Sequence, residues 1–85
     1  MPDAVEVEKH ITEFIAKRFF RGHEPLGRDE SLFASNIMDS FGMLELIAFI
    51  EKSYKIRVSP SEVKIENFDT ISNILRIVLS KIKPS

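Results

Sequence analysis

Between Asp3 and Phe20 the apolar residues Ala4, Val7, Ile11, Phe14 and Ile15 recur at helical spacing, with Glu6, Lys9, Glu13 and Lys17 off that stripe. This is the pattern of a helix with one buried face. Asp3 is suited to cap it, with Glu6 three residues on completing a capping-box-like pair, and Gly22 is placed to end it. From Arg21 to Met38 the periodicity is lost. Gly22, Pro25 and Gly27 punctuate this long loop, while Leu26, Leu32, Phe33, Ile37 and Met38 are apolar anchors that would pin it over a core. A second helix is expected from about Ser40 to Ser53 or Tyr54. The stretch Ser59-Pro60-Ser61-Glu62 signals a short third helix, with Ser59 as N-cap, Pro60 at the first helical position and Glu62 closing a capping box. Asp69 or Thr70 then caps a fourth, whose apolar face is Ile71, Ile74, Leu75, Val78 and Ile82. Strand signals are confined to a brief alternation at Tyr54–Val58. The expected class is all-α: a small four-helix bundle with three longer helices, one short one and a long loop between helices one and two.

The second helix is more apolar than such a bundle needs. Eight of the ten residues from Phe41 to Ile50 are apolar. Met43, Leu46, Ile47, Ile50 and Tyr54 form one stripe for the core. Phe41, Leu44 and Ala48 form another, more than a quarter-turn away. Either the loop folds over this second stripe or the stripe is exposed, and exposed apolar patches mark partner sites. At the mouth of the helix stand Asp39 and Ser40, both good capping residues, worth about 1 kcal/mol in that role. Gly42 costs the helix about 1 kcal/mol relative to Ala, and its missing side chain is expected to leave open space beside Ser40. A phosphate ester on Ser40 would be stabilised by the free N–H groups and dipole of the helix start.

Composition narrows the function. With 85 residues, 44% hydrophobic and 29% charged, the chain reads as one globular domain, 1–85. Thirteen acidic and twelve basic side chains leave a formal charge of −1, which excludes nucleic-acid binding driven by overall charge. Cysteine is absent, so disulfides, thiolate nucleophiles and cysteine metal sites are excluded. No run approaches the roughly 18 apolar residues of a membrane span, and the acidic N-terminus lacks an apolar signal core, so a cytoplasmic location is the default. A serine hydrolase reading of Ser40 lacks G-x-S-x-G. The two histidines, His10 and His23, are expected to be structural or solvated, and no H-x-x-x-H or carboxylate cluster suggests a metal.

Asp39-Ser40-Phe41 followed by Leu44-Glu45-Leu46 and Ile47 resembles the D-S-L-x-x-V-E-L motif of acyl and peptidyl carrier proteins. Glu51, Tyr54, Ile56, Val58, Glu62, Thr70, Ile71 and Ile74 extend the similarity over essentially the whole chain, helix one matching only in pattern. The resemblance implies that Ser40 is the attachment point of 4′-phosphopantetheine, placed there from coenzyme A by a phosphopantetheinyl transferase, with Asp39 beside it. The arm's thiol would carry an acyl or aminoacyl group as a thioester, and the protein would itself catalyse nothing. Asp39, Phe41, Leu44, Glu45 and Ala48 match positions that face the transferase, an acyl- or aminoacyl-activating ligase and a downstream transferase or synthase. Met43 and Ile65 match positions near the mouth of a cargo cavity. The implied protein is a monomer without nucleic-acid or membrane partners, serving fatty acid, polyketide or another specialised biosynthesis. Its near-neutral charge, Gly42, Lys52 and Lys55 depart from fatty acid carriers. Leu32-Phe33, Ile37-Met38-Asp39-Ser40 and Asn67-Phe68-Asp69-Thr70 are more similar to discrete carriers such as D-alanyl carrier proteins. The alternative is a helical interaction domain that binds a protein through the second stripe and carries nothing.

Overall fold

The computed structural model describes residues 3–19 and 27–82. Four α-helices follow one another: α1 (Ala4–Arg18), α2 (Ser40–Tyr54), α3 (Ile65–Phe68) and α4 (Ile71–Lys81), with a 3₁₀ turn at Pro60–Glu62. The described residues contain no strand, so the all-α expectation holds. Phe20, Gly22, His23, Pro25 and Leu26 lie outside the described residues.

The three longer helices, α1, α2 and α4, each start where a side chain accepts an orphan N–H, whereas α3 has no side-chain cap. The Glu6 N–H donates to Asp3 Oδ1 (2.8 Å), the Gly42 N–H to Asp39 Oδ1 (2.8 Å) and the Asn73 N–H to Thr70 Oγ1 (3.1 Å). Thr70 is thus the cap of α4. The short third helix is divided differently from the expectation. Ser59–Glu62 yields only the 3₁₀ turn, its Glu62 carboxylate accepting the Ser59 N–H (2.8 Å). The chain leaves the helical region at Val63 (ψ 81°) and re-enters it at Ile65. This second turn is one helical turn long and so has no periodicity to detect. It is held from outside, by fully buried Phe68 and by the Asn67 and Asn73 amides, which donate to the Glu62 and Glu66 carbonyls.

The core is built from Val7, Ile11 and Ile15 of α1, the Met43, Leu46, Ile47 and Ile50 stripe of α2, Phe68 of α3, and Ile71, Ile74, Leu75 and Val78 of α4. Tyr54 reaches it only in part, and Ala4 is exposed. The described part of the loop is pinned by buried Leu32 and Met38, with Phe33 and Ile37 packed against the core. Its polar anchor is Asp69. That carboxylate accepts the Ser31 hydroxyl (2.8 Å) and the Phe33 N–H (3.0 Å), and the Asp69 carbonyl accepts the Leu32 N–H (2.7 Å). These bonds draw residues 27–38 toward the α3–α4 junction and end with Asp39 and Ser40 presented at the surface.

Candidate functional site

Asp39 is extended (φ −119°), and its side chain turns back onto the Gly42 N–H while its carbonyl accepts the Met43 N–H (2.8 Å). The N–H groups of Ser40 and Phe41 precede those bonds and have no intrahelical acceptor. Ser40 is therefore the first residue of α2, with an exposed side chain beside two free donors at the positive end of the helix.

Gly42 does not open space at this point. It is buried, and a Cβ placed on it would stand 2.9 Å from Met38 Cγ and 2.9 Å from Phe19 Cε1. The missing side chain lets the end of α1 and the last loop residues close against the first turn of α2. Glycine here is a packing requirement that tertiary approach imposes.

The second stripe is exposed: Phe41 by 80%, Leu44 by 52%, and Ala48 as well. The described loop residues do not cover it. Glu45 lies beside this stripe and accepts from the Arg18 guanidinium, with Nε at 3.2 Å from Oε2 and a second guanidinium nitrogen on the same oxygen. Arg18 is 27 positions away in sequence, and nothing in the local pattern ties it to Glu45. Met43 is buried in the core, and Ile65 stands half exposed at the start of α3.

One groove adjoins Asp39, and a second lies further along the seam between α1 and α2. One, of about 470 Å³, runs beside Asp39 between Arg18 and Phe19 of the α1 end and Asn36, Ile37 and Met38 of the loop. Asn36 takes a left-handed conformation there (φ 59°). The other, of about 620 Å³, lies between α1 and α2. Phe14 and Phe49 stack in it at 4.1 Å, and His10 Nδ1 shares a hydrogen bond with Tyr54 Oη (3.2 Å). Burial, with the Glu6 carboxylate adding to it, pushes the Tyr54 hydroxyl pKa up. His10 is accordingly a surface hydrogen-bonding partner of α2, and no group of three or more metal-ligating side chains occurs among the described residues. No helix among them is long and apolar enough to cross a membrane.

No family model matches the chain. It is similar, however, to curated proteins along most of its length. A D-alanyl carrier protein of Streptococcus uberis is 32% identical over 69 residues, covering 81% of this chain and 86% of the relative. A D-alanyl carrier protein of Streptococcus pyogenes is 28% identical over 72 residues, covering 85% of this chain and 90% of the relative. Similarity of that depth and extent decides the question raised by the Asp-Ser step and the exposed stripe: the chain belongs to the carrier protein family that includes the D-alanyl carrier proteins, and it is a carrier, not an enzyme.

Proposed function

We propose that Ser40 Oγ holds a 4′-phosphopantetheine arm as a phosphodiester and that the protein carries an aminoacyl or acyl group from an activating ligase to a downstream transferase or synthase. The observation that supports this reading is the setting of Ser40: an exposed hydroxyl, next to two N–H groups without intrahelical acceptors, at the edge of an exposed apolar stripe. A phosphodiester fits that setting because free helix-start N–H groups stabilise a negative oxygen. When bound, the arm supplies a thiol able to hold the cargo as a thioester, a group the cysteine-free chain lacks.

The protein's own residues do the presenting. Asp39 keeps the helix start in register through the Gly42 N–H, so that Ser40 projects from a fixed backbone. Phe41, Leu44 and Ala48 offer the apolar surface against which a transferase or ligase seats, with Glu45 at its edge. The relatives' name makes D-alanine the first cargo to try. Met43 and Ile65 are the residues to substitute when asking whether the bundle shelters that cargo.

The test is mass spectrometry after incubation with coenzyme A and a promiscuous phosphopantetheinyl transferase. Wild type is expected to gain one phosphopantetheine and Ser40→Ala none, while circular dichroism shows the same helical content in both. A wild-type chain left unmodified under conditions that load a control carrier would overturn the proposal. A Ser40→Ala protein that retained full function in its pathway would likewise overturn the assignment of the arm to Ser40.

A further inference from the structure

The exposed stripe of α2 does not end at Ala48. It runs on to a groove of about 500 Å³, in which Ala48 and Ile56 meet Lys52, Lys55, Arg57 and Glu51. The three cations are exposed, and none is in an ion pair with a described residue. Both acids of α2 are engaged elsewhere: the Glu51 carboxylate accepts the Val58 N–H (2.9 Å), and Glu45 is paired with Arg18. A cation in the last turn of a helix is favoured by the dipole, and that accounts for Lys52. It does not account for Arg57, which lies two residues beyond the C-cap. Nor does it explain why Lys55 occupies the left-handed C-cap (φ 55°, ψ 45°), where glycine is usual.

We propose that the docking surface extends from Phe41 through Leu44 and Ala48 onto Lys52, Lys55 and Arg57, and that it fits a partner enzyme whose carrier-binding face is an apolar patch edged by carboxylates. The proposal rests on the carrier reading above. The apolar stripe supplies burial, and the cations supply orientation and encounter rate, since complementary charge steers association and is screened by salt.

The test compares two phosphopantetheinyl transferases chosen for opposite charge around their carrier-binding faces, one acidic and one basic, acting on the full chain with coenzyme A. Initial loading rates are measured at about 50 mM and about 300 mM ionic strength. In the triple variant Lys52→Glu, Lys55→Glu, Arg57→Glu, the acidic-faced enzyme is expected to slow by about tenfold and the basic-faced enzyme to gain, both differences shrinking at the higher salt. The double variant Lys52→Gln, Arg57→Gln should shift both rates in the same directions by a smaller factor, and it serves if the charge reversal unfolds the chain. Equal changes with both enzymes, or none, would overturn the proposal and leave the carrier reading standing. Failure of either enzyme to load wild type, while both load a control carrier, would overturn the carrier reading and this proposal with it.

Discussion

Gly42 shows how one position answers to two opposed demands. As a helical residue it is poor, and on an exposed helix its replacement by Ala would be expected to stabilise by about 1 kcal/mol. Here the added methyl would meet Met38 and the Phe19 ring at 2.9 Å. Such overpacking costs about 1–3 kcal/mol. Gly42→Ala is therefore expected to leave stability unchanged or lower it by up to about 2 kcal/mol, read from the urea midpoint. A gain of the full helix-propensity value would show that Phe19 and Met38 yield without cost. Because Gly42 is two residues from Ser40, the same variant should also displace the backbone amide resonances of Ser40 and Phe41.

At the scale of elements, the described part of the long loop owes its path to one carboxylate. Asp69 collects the Ser31 hydroxyl and the Phe33 N–H, and its carbonyl holds Leu32, so the loop, α3 and α4 meet at a single residue. The sequence offered Asp69 only as one of two candidate caps for α4. Thr70 takes that role, which leaves Asp69 free to face the loop. Asp69→Ala would leave the Phe33 N–H without its acceptor, a loss worth about 1–3 kcal/mol where such a group is shielded from water. The expected outcome is a lower urea midpoint with an unchanged slope, and faster amide exchange at Leu32 and Phe33. Thr70→Ala should cost about 1 kcal/mol through the lost cap, without loosening the loop.

For the whole molecule, one ion pair ties the middle of the chain to the end of α4. Lys81 Nζ lies 2.8 Å from Glu62 Oε1, the same oxygen that accepts the Ser59 N–H. The Lys81 hydrogen bond, followed by that of the Ser59 backbone, lowers the Glu62 pKa to about 2. A carboxyl whose folded pKa lies below its unfolded value contributes stability that is complete above the ordinary carboxylate range. That contribution is lost as pH falls from about 4.5 toward about 2. Glu62→Gln is expected to flatten this acid limb of the stability curve and to leave the neutral limb's shape unaltered, as followed by urea midpoints at a series of pH values. A wild-type acid limb that the variant reproduces in full would assign the loss to other carboxylates.

What was legible in the chain was whatever repeats or announces itself locally. The stripes of α1, α2 and α4 recur over several turns, and Asp3, Asp39 and Thr70 mark helix starts because their short oxygens reach an N–H two or three residues on. The Asp39-Ser40 step and the surplus stripe of Phe41, Leu44 and Ala48 were visible for the same reason, since a helix 15 residues long states both of its faces in its spacing. Hidden from that view was everything set by contact between distant segments. The break at Val63 that splits the short helix, the closure of Phe19 and Met38 over Gly42, the Arg18–Glu45 pair and the turn of Asp69 toward the loop all depend on how helices approach one another. Periodicity shows which face of a helix is apolar. The spacing already gave the Met43, Leu46, Ile47 and Ile50 stripe to the core; only the packing of the bundle decided that the stripe of Phe41, Leu44 and Ala48 stays in solvent, because the core is filled from the other side of the same helix and the described loop residues pack there too.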